Sequence, residues 1–298
     1  MPQDMPFFSV IVPTYNRPGQ LVACLDALSR LHYRHDCFEV VVVDDGSRAP
    51  LDAVVASFSN ALAVTLIRQA NAGPGAARNT GAKRAQGEFL VFTDDDCAPA
   101  PDWLQAFASY FRQWPHCAVG GQTLNALPHN IYSTASQFLI TYVYAYYNTL
   151  PQHARFFASN NLAFPVQGFQ TIGGFNAADF RVASEDRELC ERWLLAGQRM
   201  IYAPEAVVYH AHALTLRTFL RQHFSYGRGA FCFHWTRRQR GQGRIKVEPS
   251  SFYVGMLRYP FLHAPRTRAP LISVLLVLAQ MMNVVGFFAE RRSKRVHA

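Results

Sequence analysis

Short apolar runs and helix-length segments alternate along the first part of the chain. Four short, mostly apolar runs, each followed by polar or turn-forming residues, lie at 7–13, 38–43, 63–67 and 88–93. The segments between them place apolar residues three or four positions apart, as Leu21, Leu25 and Leu28 do, and this spacing predicts helices. Buried strands separated by helices are typical of parallel βαβ units. We therefore expect an α/β fold with a mostly parallel sheet and helices on both faces.

The second half of the chain has a weaker pattern. Residues 132–150 predict a helix that is rich in tyrosine, and Ser184–Ala196 predict a helix that ends at Gly197. A strand-like run follows at 206–209. The tyrosines could stack on a ligand, although a half-buried helix explains them better.

Polar loops directly follow three of the predicted strands. They lie at 14–18, 44–47 and 94–97. Ligands of open α/β sheets bind beyond the carboxyl ends of the strands. The strongest signal is the acidic triplet Asp94, Asp95 and Asp96: alternate residues of an extended segment point the same way, so Asp94 and Asp96 should converge. Clustered carboxylates favour a divalent cation, Mg²⁺ or Mn²⁺, that bridges to phosphate oxygens. The alternative is a solvated acidic turn.

Two further segments suit a nucleotide-like ligand. Asp45 follows the second strand, where a carboxylate can accept hydrogen bonds from a base or a ribose, although Asp-Asp-Gly-Ser is also an ordinary turn sequence. Residues 71–79 form a glycine-rich turn that leads into a helix. Backbone N–H groups at a helix start suit anions, and Arg78 could add a charged contact.

Two more groups are candidates for chemistry. Ser184, Glu185 and Asp186 open a predicted helix. One of these carboxylates could act as a general base, or the segment could be a helix cap with Ser184 as its N-cap residue. His210 follows the strand-like run, and beside a carboxylate site it is a possible further metal ligand.

The charge of the chain is divided unevenly. The net charge is +9 overall. Residues 1–216 carry 14 basic and 18 acidic side chains, whereas residues 217–298 carry 15 basic and 2 acidic ones. The basic region is also aromatic and contains a long apolar run. Such a region fits an anionic membrane surface better than duplex nucleic acid, so we expect a membrane partner and no nucleic acid.

Composition and cysteine usage narrow the class of protein. With 50% hydrophobic and 16% charged residues the chain is neither disordered nor a disulfide-stapled miniprotein. The six cysteines show no CxxC pair and no zinc-like spacing. The N-terminus lacks the basic n-region of a signal peptide. We therefore expect a cytoplasmic protein that contacts the membrane from its cytoplasmic face, peripherally or with a single span.

Seven short motifs, taken in order, resemble those of the family 2 glycosyltransferases. They are SVIVPTYNR (Ser9–Arg17), VVDDGS (Val42–Ser47), NAGPGAARN (Asn71–Asn79), FTDDDC (Phe92–Cys97), SNNLAF (Ser159–Phe164), GGF (Gly173–Phe175) and SEDRELCERWLLAG (Ser184–Gly197). The resemblance covers residues 8–230. It implies the GT-A fold of nucleotide-diphospho-sugar transferases, with a Rossmann-like sheet. We expect a catalytic domain at 1–230 and a membrane-associated helical appendage at 231–298.

The resemblance also implies how the donor is bound. Asp45 resembles the acidic residue that hydrogen-bonds the nucleotide base. Pro13 and Tyr15 would line the same pocket, and Arg78 would contact the nucleotide sugar. Asp95 would lie near the ribose.

Further roles follow from the same resemblance. Asp94 and Asp96 match the family's DxD metal motif, and Asp186 matches the carboxylate that serves as base. The segment 221–229 resembles a basic stretch that follows the catalytic domain in membrane-bound members. It departs from the QxxRW motif of processive synthases, which argues against a polysaccharide synthase.

Residues 271–289 form the apolar run of the C-terminal region, with basic residues on both sides. As a helix, 19 residues would be about 28 Å long, close to the thickness of a hydrocarbon core. Three interpretations stay open: a membrane span, a helix in the membrane interface, and a helix packed on protein.

Together these features predict an inverting glycosyltransferase. It would move a sugar from a nucleotide-sugar donor, with UDP favoured, to a hydroxyl of a glycan or lipid-linked acceptor in cell-surface polysaccharide or glycolipid synthesis. One alternative is a nucleotidyltransferase, although residues 14–20 lack the expected lysine-bearing glycine-rich loop. The other is a catalytically silent sugar- or membrane-binding protein on the same fold.

Overall fold

A computed structural model of the protein describes residues 5–242 and 247–296. The strands are β1 (Phe8–Thr14), β2 (Phe38–Asp44), β3 (Val64–Arg68), β4 (Phe89–Thr93), β5 (Cys97–Pro99), β6 (Ala118–Asn125), β7 (Asn161–Pro165) and β8 (Met200–His210). The helices are α1 (Pro18–Ser29), α2 (Asp52–Ala56), α3 (Pro74–Arg84), α4 (Trp103–Gln113), α5 (Ile131–Tyr147), α6 (Val166–Thr171), α7 (Glu185–Leu195), α8 (Leu216–Gln239), α9 (Ser250–His263) and α10 (Ala269–Val296). The sheet has the order β3-β2-β1-β4-β7-β6-β8-β5.

The parallel half of the sheet consists of β3, β2, β1 and β4. Every residue of β1 and β2 is buried, because helices cover both faces. Val10 lies in one core cluster with Leu21 of α1. On the opposite face Ile11 approaches Gly81 of α3 so closely that a Cβ at Gly81 would overlap it. The α/β class and the helices on both faces, expected from the sequence, are confirmed.

The other half of the sheet reverses direction at β7. This strand pairs antiparallel with β4, so that Thr93 at the end of β4 lies opposite Asn161 at the start of β7. The pairs β6–β7 and β5–β8 are also antiparallel. The reversal therefore places the start of β7 beside the end of β4.

The chain divides into two compact units, and the division differs from the expected boundary at residue 230. Of the described residues, unit 1 comprises 5–124, 148–177 and 186–211, and unit 2 comprises 125–147, 178–185, 212–242 and 247–296. The physical reason is the packing of α5: its Ala135 and Leu139 share a buried cluster with residues of α8, α9 and α10. An early helix therefore belongs with the C-terminal ones.

Several predicted elements shift slightly in the structure. The helix after the glycine-rich turn begins at Pro74, inside the segment 71–79 that we interpreted as the turn, because proline is well suited to the first turn of a helix. In the part of the chain that the structure describes, one helix, Ala269–Lys294, is long and apolar enough to cross a membrane by length and composition.

Candidate active site

The carboxyl ends of β2, β1 and β4 lie side by side at one edge of the sheet. Thr14 at the end of β1 is the register partner of Asp44 at the end of β2, and Asp94 directly follows β4. The topology therefore brings the three polar loops singled out in the sequence to one edge of unit 1, where ligands of such sheets bind.

Asp45 organises the start of the glycine-rich segment. Its side chain is buried, and both carboxylate oxygens accept hydrogen bonds. Oδ1 accepts from Gln69 Nε2 (2.7 Å) and from the Ala72 amide (2.9 Å), while Oδ2 accepts from the Gly73 amide (2.8 Å). These bonds fix the backbone just before α3 begins. Recognition of a nucleotide base by Asp45 stays a prediction.

The loop after β1 carries the other expected donor-pocket residues. Pro13 is buried within β1, whereas Tyr15 is 45% exposed and its ring is available to a ligand. Asn16 adopts a left-handed conformation with φ of 56°. Its amide donates to Ser47 Oγ (2.8 Å) and its Oδ1 accepts from the Arg48 amide (2.9 Å), which ties this loop to the loop after β2.

Arg17 holds two carboxylates of the acidic triplet. Its Nη1 lies 3.2 Å from Asp95 Oδ1 and 3.2 Å from Asp96 Oδ2. Thr14 Oγ1 donates a second hydrogen bond to Asp95 (2.7 Å). Burial raises the pKa of Asp95 to about 6, although the Arg17 charge and the Thr14 hydrogen bond oppose the rise.

The triplet forms a turn, so our expectation of an extended segment was wrong. The Cys97 amide donates to the Asp94 carbonyl (3.1 Å), which closes a β-turn and ends the alternation of side chains. Asp95 and Asp96 therefore share Arg17, while Asp94 contacts Arg78 Nη2 (2.6 Å). Asp94 keeps 30% of its side chain exposed. Although burial opposes the change, the negative charges of all three carboxylates raise the pKa of Arg17 above its ordinary value.

Asp96 and His210 form the core of a candidate cation site. Asp96 Oδ1 lies 3.1 Å from His210 Nε2, and these atoms lie within 4.8 Å of Cys97 Sγ. Burial raises the pKa of Cys97, so its sulfur is a thiol and a poor ligand. A carboxylate oxygen and an imidazole nitrogen remain, and this donor set fits Mn²⁺ or Mg²⁺. The role of His210 as a further metal ligand stays a prediction.

Two neighbouring residues of α3, Arg78 and Asn79, connect the acidic triplet with Phe175. Arg78, which holds Asp94, also lies over the ring of Phe175 at 5.5 Å. The neighbouring Asn79 brackets the backbone of Phe175, since its Nδ2 donates to the Phe175 carbonyl (2.7 Å) and its Oδ1 accepts from the Phe175 amide (2.8 Å). The Gly-Gly-Phe motif is thereby fastened to the helix that carries Arg78.

Arg192 of α7 fastens the same motif from the other side. Its guanidinium makes a bidentate pair with Glu188, with both N–O distances at 2.7 Å. It also donates to the carbonyls of Ile172 and Gly174, the latter at 2.6 Å. The Glu188 side chain is 1% exposed, so the carboxylate of this pair is buried. Arg192 thus joins the glycine turn to α7, the helix that also carries Asp186.

Asp186 lies at the second position of α7. Its Oδ1 accepts from the Arg187 amide (2.7 Å), as acidic side chains in a first helical turn often do. Ser184, the alternative cap residue, has a positive φ of 71° and precedes the helix. The assignment of Asp186 as a catalytic base stays a prediction.

The comparison with known families decides the class of the protein. The model of Glycosyl transferase family 2 matches residues 9–184, more than half of the chain. The chain belongs to this family. This membership sets the nucleotidyltransferase alternative aside.

Two curated relatives match this chain over part of their own length. Glycosyltransferase AglE of Haloferax volcanii is 35% identical over 131 residues, 43% of either protein. The pre-mycofactocin glycosyltransferase of Mycobacterium tuberculosis is 26% identical over 233 residues, which are 74% of this chain and 46% of that protein. The chain thus spans less than half the length of these two curated relatives.

Solved structures confirm the GT-A fold of this family 2 protein. A mannosyltransferase from Pyrobaculum calidifontis, in complex with GDP-Man and Mn²⁺, aligns with a TM-score of 0.66 and 20% identity over 95% of this chain and 88% of that one. Staphylococcus aureus TarS 1–349, in complex with UDP-GlcNAc, aligns with a TM-score of 0.52 and 18% identity over 98% and 92% of the respective chains.

Several residues of this family 2 site were not among the sequence predictions. Thr14 and Arg17 contact the triplet, and Glu188 and Arg192 anchor the glycine turn. For Arg17 the signal was its position directly after a strand end. For Glu188 and Arg192 it was the i,i+4 spacing of opposite charges, which is also common on exposed helix surfaces.

Proposed function

We propose that the protein catalyses a single inverting displacement, with a nucleoside-diphosphate sugar as donor and a hydroxyl of a glycan or lipid-linked molecule as acceptor. The observation that carries this proposal is the acidic triplet at the carboxyl edge of parallel strands, with Arg17, Arg78 and His210 packed against it. Such a site offers both cation ligands and fixed positive charge to a diphosphate.

The donor would bind along the three loops at this edge. Tyr15 would stack on the nucleotide base, with Pro13 behind it, and Asp45 would accept a hydrogen bond from the base. Asp95 would lie toward the ribose. UDP is our favoured nucleotide, and the GDP-Man and UDP-GlcNAc complexes of the two structural neighbours make GDP the first competitor to test.

Asp96 and His210 would hold Mg²⁺ or Mn²⁺, with Asp94 beside them. The bound cation supplies positive charge that offsets the charge developing on the departing diphosphate. Arg78, in the N-terminal half of α3, contacts Asp94 and would also bind a phosphate oxygen. The backbone N–H groups at the start of a helix favour an anion in the same way.

Asp186 would take the proton of the acceptor hydroxyl. The hydroxyl oxygen then forms its bond to the anomeric carbon while the bond to the diphosphate breaks on the opposite face, which inverts the anomeric configuration. Because α7 is fastened to the glycine turn by Arg192, the helix that carries the base is held rigidly within unit 1.

We also propose that the reaction occurs at the cytoplasmic face of the cell membrane, in the assembly of a surface polysaccharide or glycolipid. The support is the basic, apolar C-terminal region with its candidate membrane helix. Residues 1–230 would supply the chemistry and residues 231–298 the membrane contact.

Thermal unfolding with Mn²⁺ and a panel of UDP-, GDP-, dTDP- and CMP-sugars tests the donor site. A ligand at 100 times its dissociation constant stabilises the folded protein by about 2.7 kcal/mol. We expect a metal-dependent rise of the midpoint for one nucleotide class that is lost in Asp96→Ala and kept in Asp102→Ala, since Asp102 is an exposed carboxylate outside the triplet. A cooperative protein that responds to no donor would refute the proposal and favour the catalytically silent alternative.

A further inference from the structure

The inner face of α10 is packed on protein along its length. Its first half contributes to the buried cluster of unit 2 through Ile272, Leu275, Leu276 and Ala279. In its second half Gly286 lies against the Phe224 carbonyl of α8, and Gly227 of α8 lies against the Asn283 carbonyl. A Cβ at either glycine would overlap the opposing backbone. The two helices are therefore in backbone contact.

The exposed face of α10 is apolar from Pro270 to Phe288. Every exposed residue from Pro270 to Phe288 is apolar: Pro270, Leu271, Val274, Val277, Met281, Val284, Val285 and Phe288. These positions follow one helical stripe, here called the outer stripe, which extends for about 26 Å. The helix α9 adds three exposed apolar side chains, Val254, Phe261 and Leu262. A continuous apolar stripe of this length on a surface helix indicates a binding partner.

A bilayer span by α10 conflicts with this packing. The partner helix α8 carries five arginines, at 217, 221, 228, 237 and 238. If α10 crossed the hydrocarbon core while packed on α8, those arginines would be carried toward hydrocarbon, which is costly. If α10 separated from α8 in order to cross the bilayer, the Arg228–Glu290 ion pair, with its N–O distance of 2.6 Å, and the backbone contacts at Gly227 and Gly286 would be lost. An orientation parallel to the membrane plane avoids both penalties.

The charges around the outer stripe favour an anionic surface. Exposed arginines stand at both ends of the stripe, Arg266 and Arg268 before it and Arg292 after it. The two acidic residues of the region are engaged within unit 2: Glu290 pairs with Arg228, and Glu248 accepts a hydrogen bond from the Tyr147 hydroxyl (2.7 Å). The local excess of positive charge is therefore presented outward, where anionic lipid attracts it.

We propose that α10 lies in the plane of the membrane, with its outer stripe inserted into the headgroup boundary of an anionic lipid bilayer and its inner face still packed on α8. The inference rests on the membrane location proposed above, and it assigns that contact to one helix face. A second copy of the chain is the competing occupant of the outer stripe.

Flotation of the full-length protein with preformed vesicles tests the partner. We expect it to float with vesicles of phosphatidylcholine mixed with phosphatidylglycerol, more weakly with phosphatidylcholine alone, and less at high salt. The double variant M281E/V284E should lower the bound fraction on the order of tenfold or more. Leu195→Glu, an equally exposed apolar position on α7, should leave it unchanged.

Two controls separate the possible failures. Each variant is first shown to keep the donor-dependent rise of the unfolding midpoint, so loss of flotation is not loss of fold or of donor binding. Flotation that M281E/V284E does not weaken would overturn the proposal. Absence of flotation, together with a dimer that the same substitutions dissociate, would overturn it in favour of the second copy.

Thiol labelling tests the in-plane orientation. Arg266→Cys and Arg292→Cys, both exposed, are each introduced into a Cys37→Ser background, because the other five cysteines are buried. In inverted membrane vesicles an impermeant maleimide should label both positions, since both ends of an in-plane helix stay on the cytoplasmic side. Labelling of one position alone would show a span and overturn the proposal.

Discussion

Removal of the Arg192 guanidinium should destabilise unit 1 severely. In Arg192→Met the carboxylate of Glu188, which is 1% exposed, loses both of its paired hydrogen bonds, and the Ile172 and Gly174 carbonyls lose their donor. Breaking a buried ion pair by removing one partner costs about 3–5 kcal/mol, because the remaining charge stays buried. We expect a loss of this size in the free energy of unfolding.

Urea titration followed by tryptophan fluorescence, to which the fully buried Trp103 and Trp193 contribute, measures this loss. Because Glu188→Gln removes the stranded charge, the double variant E188Q/R192M should cost less than the sum of the single variants, with a coupling of about 1–3 kcal/mol. Arg30→Met is a matched control, since Arg30 and Asp26 form an exposed i,i+4 pair that should contribute within about 0.5 kcal/mol. A loss below 1 kcal/mol in Arg192→Met, or strictly additive losses, would refute this reasoning.

Three further predictions concern catalysis, pH dependence and helix packing. Asp186→Asn should lower kcat by roughly 10²–10⁴-fold in steady-state assays while donor binding is retained; near-normal turnover would transfer the role of base to another carboxylate. Burial lowers the pKa of His223 from 6.5 to about 4, so the unfolded chain takes up the proton first and the free energy of unfolding should fall, by up to about 3 kcal/mol, as the pH drops from 6.5 to 4. His223→Phe should flatten that pH dependence, and an unchanged slope would contradict the assignment. Gly286→Ala should cost about 1–3 kcal/mol in unit 2 by calorimetry, whereas Gly19→Ala, where a Cβ meets no atom within 4 Å, should be nearly neutral.

The parallel half of the sheet was predictable because β1, β2 and β4 are buried throughout and consist mostly of apolar residues. The antiparallel half was not, since β6 contains two glycines and β8 mixes exposed and buried positions. Strand direction there depends on pairings between residues distant in the chain, such as Thr93 with Asn161. Local periodicity carries no information about such pairings.

The same contrast holds within the site. The acidic triplet was evident as a cluster, but its turn geometry depends on a backbone hydrogen bond from Cys97 that composition does not reveal. Arg17 was visible only as a residue in a loop, and its hold on Asp95 and Asp96 follows from the fold. Sequence reasoning therefore singled out the acidic residues of this sheet edge and missed most of the side chains that position them.

The reversal at β7 has a consequence for the order in which the protein folds. Thr93, at the end of β4, pairs with Asn161, at the start of β7, and the segment between them includes α4, α5 and the strands β5 and β6. Closing so long a segment costs more chain entropy than pairing β1 with β2 does, so we expect the β4–β7 pair to form after the parallel half of the sheet. The strand beside the acidic triplet would then be set in place late in folding.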